Sequence, residues 1–295
     1  MSGSVPETTV RAIRSAAVFT HQRPAETAGG IQKLIAAAQR AGVELRFDSA
    51  ETAKHELGSL AADGVRTNAG HDERPDVCIV LGGDGATLSA LRAYAGTGVP
   101  VFSINYGRIG FLSTADRDQI DDAVERAVSG RFEVVQFPAL VLDHGGSKRF
   151  AINEVSYQRR SHLNMTHLAY SLAGDEVSRV PCDGLIAATP PGSTGYNLSV
   201  GGPILAWGVK AYAVSLIAPH ALSVRSLVAA PEDVLEVRNE GPEAVDLVID
   251  GVRIGEVAVG ESSQVRFRAD VVGLAQLPGS SFYRRFREKL MQLAS

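Results

Sequence analysis

The apolar positions in the first part of the chain fall alternately into short runs and into longer segments with helical spacing. Short apolar runs rich in Val, Ile and Phe predict strands, and they lie at 16–20, 43–47, 77–81 and 99–105. Segments whose apolar residues recur at helical spacing predict helices, and they lie at 24–40, 51–61 and 86–95. This alternation predicts an open, mostly parallel α/β sheet with helices on both faces.

The pattern changes after a charged amphipathic helix that is predicted at 117–128. Between 132 and 277, short runs of Val, Ile and Leu are broken by turns rich in Gly, Pro, Asn and Asp. Turns at this spacing are typical of antiparallel strands. The sequence therefore predicts a second, mostly β domain.

A last helix is predicted at 281–293, with an apolar stripe made of Phe282, Phe286, Leu290 and Leu293. Its basic residues are expected to form a solvated face, namely Arg284, Arg285, Arg287 and Lys289. We expect this helix to pack back on the first domain. The predicted first domain therefore comprises residues 1–114 together with 278–295, and the predicted second domain comprises residues 115–277.

The glycine-rich turn after the third predicted strand is the strongest candidate for chemistry. The apolar run ends at Gly82-Gly83-Asp84-Gly85, and a helical pattern follows. Ligands bind at this edge of open α/β sheets, glycines let the backbone approach a ligand, and a helix N-terminus favours an anion. A carboxylate beside an anion must bind a metal, take a proton or contact another part of the substrate. Phosphoryl transfer supplies all three roles for Asp84, and the alternative is a tight turn in which Asp84 caps the helix.

Two further polar clusters lie in the predicted β domain. Asp183 opens an apolar strand, and the turn Pro190-Pro191-Gly192 then delivers a group of donors and acceptors, namely Ser193, Thr194, Tyr196 and Asn197. The alternative is a hairpin with ordinary turn chemistry. Asn153 and Glu154 lie in a strand-like run at 150–157, where adjacent side chains point to opposite faces. One of the two therefore faces inward or faces a ligand, unless the strand is an edge.

Composition narrows the class of protein. A chain of 295 residues with 45% hydrophobic content forms one large or two ordinary domains, and a net charge of -4 gives no sign of a nucleic-acid or anionic-membrane surface. Cys78 and Cys182 do not make a disulfide framework. The polar residues 1–10 lack the core of a signal peptide, and no apolar run reaches the roughly 18 to 20 residues of a membrane helix. We expect a cytoplasmic protein that binds neither nucleic acid nor a membrane.

Several common motifs are absent from the sequence. No G-x-G-x-x-G follows the first strand and no G-x-x-x-x-G-K-[ST] occurs, which disfavours an ordinary dehydrogenase and a P-loop NTPase. The histidines are scattered without zinc spacing, so no protein-bound metal is expected. Ser193 does not lie in a G-x-S-x-G motif, and a nucleophilic serine is not expected.

Taken together, the motifs resemble those of one known family, the NAD kinases. The resemblance covers nearly the whole chain and rests on several stretches, which lie at 82–85, 105–112, 153–155, 183–185, 189–196, 199–204, 218–225 and 250–251. The Gly-Gly-Asp-Gly motif alone also occurs in lipid kinases and in phosphofructokinases. The combination of all these stretches is specific to the NAD kinases.

The resemblance implies a Rossmann-like N-terminal domain and a β-sandwich-like C-terminal domain, with the final helix returning to the first. It implies transfer of the terminal phosphoryl group of ATP, with Mg²⁺ or another divalent cation, to the 2′-hydroxyl of the adenosine ribose of NAD. The product is NADP. Polyphosphate stays open as a donor, and a homodimer or homotetramer is expected.

The resemblance also implies roles for individual residues. Asp84 is the expected base, accepting the hydroxyl proton in a cleft between the domains. The phosphate-approaching backbone is expected at Gly82, Gly83 and Gly85. Contacts to the adenosine and its ribose are expected from Asn153 and Glu154. The rest of the dinucleotide pocket is expected to comprise Phe111, Asp183, Thr194, Gly195, Tyr196 and Ser199.

The sequence departs from the family pattern beside two of its motifs. Ala86 stands where the family usually has Thr, which removes a hydroxyl from the helix start. Pro191 replaces the usual Thr or Ser and removes a backbone N–H, and Gly195 replaces Ala. Nucleotide affinity is therefore expected to differ from that of typical members. Two other functions stay open, a lipid or sphingoid kinase that shares the Gly-Gly-Asp-Gly motif and a non-catalytic NAD(P)-binding regulator.

Overall fold

The polypeptide divides into two units, each with its own hydrophobic core. The computed structural model describes residues 12–59, 63–70, 74–160, 164–221 and 223–293. The first unit comprises residues 1–136 and 272–295, and the second comprises residues 137–271. Some sequence predictions fall outside the described residues and side chains. Among them are those for 1–10, for residues 60–61 of the helix predicted at 51–61, for His71 and His162, and for the side chains of Leu290 and Leu293.

The described residues form strands β1 to β18 and helices α1 to α6. The strands are β1 Ser15–Thr20, β2 Glu44–Arg46, β3 Val65–Arg66, β4 Val77–Gly82, β5 Pro100–Asn105, β6 Ala115–Asp116, β7 Glu133–His144, β8 Ser147–Ala151, β9 Glu154–Arg159, β10 Thr166–Leu172, β11 Asp175–Cys182, β12 Gly184–Ala188, β13 Tyr212–Ile217, β14 Leu227–Ala229, β15 Leu235–Asn239, β16 Val245–Ile249, β17 Val252–Val257 and β18 Ser262–Gln276. The helices are α1 Pro24–Ala41, α2 Ser49–Lys54, α3 Asp84–Ala93, α4 Ile120–Val128, α5 Tyr196–Ser199 and α6 Phe282–Leu293. Short 3₁₀ turns lie at Leu57–Ser59, Arg117–Gln119 and Gly192–Thr194. Among the described helices, none is long and apolar enough to cross a membrane.

In the first unit, a parallel sheet has the strand order β3-β2-β1-β4-β5. Strand β6 and residues 273–274 of β18 also pair in parallel with β5. The order reverses at β1, because β2 and β4 lie on either side of it. Ligands of such sheets bind beyond the carboxyl ends of the strands at this reversal. Gly82, the last residue of β4, lies at that edge.

Burial explains why β4 reads as an unbroken apolar run and β5 as a largely apolar one. Every residue of β4 and of β5 is buried, as a parallel sheet covered on both faces requires. Leu34 of α1 and Val124 of α4 share one core with Ile79 of β4. Pro24 begins α1, and Gly42 ends it in the left-handed conformation with φ at 68°.

The second unit is built from antiparallel strands. One sheet has the order β14-β13-β12-β9-β16-β17. Strands β11, β10, β15 and the first residues of β18 form a second antiparallel array, and β7 forms a hairpin with β8. Side chains from both arrays share one core, among them Tyr157, Leu168, Leu185 and Val237. The predicted fold class, a Rossmann-like α/β part with a sandwich-like β part, is therefore confirmed.

The division between the units lies at a different place from the predicted domain boundary. It falls after residues 136 and 271, whereas the change of pattern predicts 114 and 277. Helix α4 follows the predicted boundary, yet its Val124 belongs to the same core as Leu34 of α1. Because this apolar face is buried against the first sheet and its helices, α4 belongs to the first unit.

Candidate active site

The glycine-rich turn lies at the carboxyl edge of the parallel sheet. Strand β4 ends at Gly82, Gly83 is extended with φ at -88° and ψ at -172°, and α3 begins at Asp84. The hydroxyl of Thr87 donates to the carbonyl oxygen of Gly83 at 3.1 Å and lies 2.7 Å from the hydroxyl of Ser103 on β5. Asp84 is thereby held in the first turn of α3, next to the reversal of strand order.

Both carboxylate oxygens of Asp84 accept hydrogen bonds from the backbone. The N–H of Phe111 donates to Oδ2 at 3.0 Å, and the N–H of Leu112 donates to Oδ1 at 2.8 Å. Hydrogen bonds to an ionised acceptor are stronger than neutral ones, so these donors fix the direction of the carboxylate. Since a carboxylate has about four lone-pair sites, it keeps the capacity to accept a hydrogen bond from a substrate hydroxyl.

The loop that carries these donors packs directly on the glycine-rich turn. A Cβ on Gly107 would lie 2.9 Å from the Cα of Gly83, so only glycine allows this approach. The side-chain oxygen of Asn105, at the end of β5, accepts the N–H of Gly107 at 2.9 Å. The loop therefore has a defined shape where it meets Asp84.

The glycines of the turn differ in their surroundings. A Cβ on Gly82 would lie 2.6 Å from the Cβ of Ala86, whereas a Cβ on Gly85 would meet no atom within 4 Å. Packing therefore requires glycine at position 82. The space around Gly85 leaves its backbone open to a ligand, at the place where the sequence predicts phosphate.

Arg285 of α6 also belongs to this site, although the sequence predicts that it lies on a solvated face. Its guanidinium donates to the carbonyl oxygens of Phe111, at 3.2 Å, and of Ser113. It also donates to Oε1 of Gln276 at 2.5 Å. No sequence signal separates Arg285 from the neighbouring Arg284, because only the fold brings α6 to this loop.

In the second unit, Asp250 holds the backbone of the Asn153 and Glu154 motif. Its carboxylate accepts the N–H groups of Ile152, Asn153 and Glu154 at 3.1, 2.7 and 3.1 Å. The predicted continuous strand at 150–157 is therefore wrong. Strand β8 ends at Ala151, and β9 begins only at Glu154. The sequence marks Asp250 only as part of an Asp-Gly motif, and these three N–H donors come from a distant part of the chain.

Asn153 and Glu154 carry buried polar atoms that lack a protein partner. In the described part of the structure, neither Asn153 Oδ1 nor Glu154 Oε2 has a hydrogen-bond partner, and Glu154 is 7% exposed. Burial, assisted by the Asp250 carboxylate, raises the pKa of Glu154 to about 7. Because an unsatisfied buried group costs about 1–3 kcal/mol, this pair is suited to accept hydrogen bonds from a ligand.

The turn at 190–192 packs against the same segment. Thr189 donates its hydroxyl to the carbonyl oxygen of Ile152 at 2.6 Å and its N–H to that of Asn153 at 2.9 Å. A Cβ on Gly192 would lie 2.0 Å from the Asn153 carbonyl oxygen. The chain then continues as a 3₁₀ turn and α5, so the alternative of a hairpin does not hold.

Other predicted residues lie around Glu154. Its Oε2 would lie 3.7 Å from a Cβ on Gly195. Tyr196 is 37% exposed, and burial, together with the carboxylates of Asp183 and Glu154, raises its pKa. Asp183 pairs with Arg159 at 2.9 Å. The second unit thus brings Asn153, Glu154, Gly195, Tyr196 and Asp183 into one polar neighbourhood.

The remaining polar residues of the turn have separate roles. The hydroxyl of Thr194 donates to the carbonyl oxygen of Pro191 at 3.1 Å, and Ser199 is exposed at the last residue of α5. Asn197 is buried, and its side-chain oxygen accepts the hydroxyl of Ser215 at 2.7 Å. Asn197 therefore stabilises the turn from within the unit.

Two protein-family models match the chain. The ATP-NAD kinase N-terminal domain matches residues 16–132, and the ATP-NAD kinase C-terminal domain matches residues 152–269. Among curated relatives, the NAD kinase of Gemmatimonas aurantiaca is 34% identical over 246 residues, which are 80% of this chain and 84% of that protein. The NAD kinase 2 of Streptomyces coelicolor is 35% identical over 258 residues, 85% of each chain.

Solved structures show the same likeness. The chain superposes on an NAD kinase from Archaeoglobus fulgidus in complex with ATP with a TM-score of 0.72 at 26% identity, over 95% of this chain and 99% of that chain. Yeast NADH kinase complexed with NADH gives a TM-score of 0.85 at 22% identity, over 97% and 89% of the two chains, and it shares the fold. With both domain models matched and the relatives covered over most of their length, the chain is a kinase that belongs to the NAD kinase family.

Proposed function

We propose that the protein transfers the terminal phosphoryl group of ATP to the 2′-hydroxyl of the adenosine ribose of NAD, which gives NADP. The observation that carries this proposal is the carboxylate of Asp84, which two backbone N–H groups orient at the carboxyl edge of β4. A lipid or sphingoid kinase is not favoured, since both NAD kinase domain models match the chain.

Asp84 serves as the general base in this proposal. Its carboxylate accepts the proton of the ribose hydroxyl as that oxygen attacks the terminal phosphorus of ATP. The bond from this phosphorus to the bridging oxygen breaks, and ADP leaves. The bonds from Phe111 and Leu112 hold the carboxylate in one orientation, so little reorganisation is needed when the hydroxyl arrives. General-base help of this kind contributes about 10² to 10⁴ in rate.

The nucleotide phosphates approach the backbone of the glycine-rich turn. Gly82, Gly83 and Gly85 carry no side chain that would hinder them, and the first turn of α3 directs its free N–H groups outward from the helix. Mg²⁺ enters with ATP, since this ion is usually bound through substrate phosphates and keeps several waters. Bound to the ATP phosphates, it would neutralise charge on the transferred group.

The dinucleotide is bound by the polar residues of the second unit. Asn153 Oδ1 and Glu154 Oε2 lack protein partners in the described structure, so they accept hydrogen bonds from the adenine amine and the ribose hydroxyls. Asp183 and Tyr196 extend this polar surface. In this proposal, Thr194, Gly195 and Ser199 complete the dinucleotide pocket of the second unit.

The cysteines indicate the compartment in which the protein works. Both cysteines, Cys78 and Cys182, are buried and free, as is usual in a reducing compartment. We place the protein in the cytoplasm as a homodimer or homotetramer. Light scattering during size-exclusion chromatography measures the oligomeric state.

One coupled assay tests the reaction. The purified protein is incubated with NAD, ATP and Mg²⁺, and NADP is read with an NADP-specific dehydrogenase. We expect steady formation of NADP that is lost in the Asp84→Asn variant, which keeps the size of the side chain. If the wild-type protein forms no more NADP than that variant, the proposed kinase activity is refuted. Binding of NAD without turnover would identify a non-catalytic regulator instead.

A further inference from the structure

We infer that Arg285 is a positioning residue for phosphoryl transfer: from α6 it holds the carbonyl groups of segment 111–113, whose N–H groups orient the carboxylate of Asp84. The inference rests on the proposed function of Asp84 as the base. In this role Arg285 acts through the segment and need not touch a substrate.

Segment 111–113 uses its N–H groups on one partner and its carbonyl groups on another. Two of its N–H groups donate to Asp84, at 3.0 and 2.8 Å. The carbonyl oxygens of Phe111 and Ser113 accept hydrogen bonds from Nη1 of Arg285. One short stretch of backbone therefore links the carboxylate to the guanidinium.

The ends of the loop have anchors of their own. At one end, Asn105 accepts the N–H of Gly107 at 2.9 Å. At the other end, Thr114 donates its N–H to the carbonyl oxygen of Ser103 at 2.6 Å and its hydroxyl to that of Ala275 at 2.7 Å. Arg285 supplies its donors between these anchors, where the segment faces Asp84.

The guanidinium is itself held in place. Its Nη2 donates at 2.5 Å to Gln276, which is 2% exposed at the end of β18. Burial lowers the pKa of Arg285, while the nearby carboxylates of Asp116, Asp84 and Glu288 act to raise it. Since a guanidinium is not deprotonated in proteins, the side chain stays charged and its planar donors keep their directions.

A cavity beside Arg285 makes a chemical rescue experiment feasible. Its volume is about 180 Å³, and its lining includes Ser113, Arg284, Arg285 and Lys289. A small guanidinium compound can therefore reach the place that a truncated Arg285 leaves. Arg284 lines the same cavity and is exposed, so Arg284→Ala is a matched control that removes the same charge.

Kinetics test the positioning role. We expect Arg285→Ala to lower kcat by about tenfold to a hundredfold with little change in the KM for ATP, and Arg285→Lys to retain an intermediate kcat. Ethylguanidinium should restore part of the kcat of Arg285→Ala, and Arg284→Ala should behave as the wild type does.

Amide hydrogen exchange measured by NMR tests the geometry without reference to catalysis. The N–H groups of Phe111 and Leu112 should exchange slowly in the wild type and in Arg284→Ala, and faster in Arg285→Ala or, where that variant does not fold, in Arg285→Lys. Unchanged exchange together with unchanged kcat overturns the inference. An inactive wild-type protein refutes the proposed reaction instead, and the exchange data then decide alone whether Arg285 orders the segment.

Discussion

The carboxylate of Asp250 accepts the N–H of Asn153 at 2.7 Å across a separation of 97 residues. Its carboxylate also accepts the N–H groups of Ile152 and Glu154, each at 3.1 Å. One carboxylate thereby bends the chain between β8 and β9 and presents the side chains of Asn153 and Glu154. The geometry of the polar cluster in the second unit depends on this arrangement.

Replacing Asp250 by Asn should destabilise the protein and weaken binding of NAD. The amide oxygen can accept bonds, but the amide NH₂ group then faces a backbone donor, so about 1–3 kcal/mol of the free energy of unfolding should be lost. Asn tolerates the positive φ of 46° at this position, which keeps the substitution free of backbone strain. Urea denaturation and the KM for NAD measure the two effects. Asp175→Asn, at an exposed position, serves as the control. If Asp250→Asn matches this control in both urea denaturation and the KM for NAD, the role of Asp250 is contradicted.

The raised pKa of Glu154 should make the stability depend on pH. In the folded protein Glu154 keeps its proton up to about pH 7, whereas the ordinary value is 4.5. Between these values the unfolded state binds fewer protons than the folded state, so the stabilising contribution is fully present below 4.5 and is lost as the pH rises to about 7. Glu154→Gln has no proton to release. The unfolding free energy of the wild type relative to this variant should therefore fall with pH across the window, by up to about 1.4 kcal/mol per pH unit. A difference that is constant with pH would show that Glu154 ionises as an ordinary carboxyl does.

Gly192→Ala should damage both stability and activity. The new Cβ would lie 2.0 Å from the carbonyl oxygen of Asn153, so the turn and the Asn153 segment must separate. Overpacking of this kind costs about 1–3 kcal/mol. Thermal unfolding and the KM for NAD measure the effect. Gly208→Ala, whose Cβ would meet no atom within 4 Å, is the matched control and should leave both quantities unchanged.

Ala86→Thr should strengthen binding of ATP. The substitution adds a hydroxyl in the first turn of α3, two residues after Asp84, and one new hydrogen bond to a phosphate or its metal is worth about 0.5–1.5 kcal/mol. The KM for ATP should fall by roughly twofold to tenfold, with the KM for NAD unchanged. An increase in the KM for ATP would mean that the side chain at position 86 obstructs the phosphates instead.

Elements with a strong local pattern were predictable from the sequence. The apolar run of β4 followed by Gly82 and the helical spacing of α3 place Asp84 correctly, because burial on both faces of a parallel sheet and the start of a helix are local properties of the chain. The prediction of a continuous strand at 150–157 was wrong for the opposite reason, because a distant residue decides this part of the chain. Residues with strand propensity were overridden by a carboxylate, Asp250, that lies far along the chain.

The sequence by itself determined the alternation of strands and helices in the first part of the chain, the mostly β character of the second, the position of Asp84 after β4, and the set of motifs that marks an NAD kinase. Only the tertiary structure decided which groups hold those motifs in place. Arg285 reads as one of several basic residues on a helix, and Asp250 reads as a turn residue. Each becomes part of a site because folding brings it within hydrogen-bond distance of backbone donors or acceptors far along the chain. Periodicity is a property of neighbouring residues and does not encode such contacts.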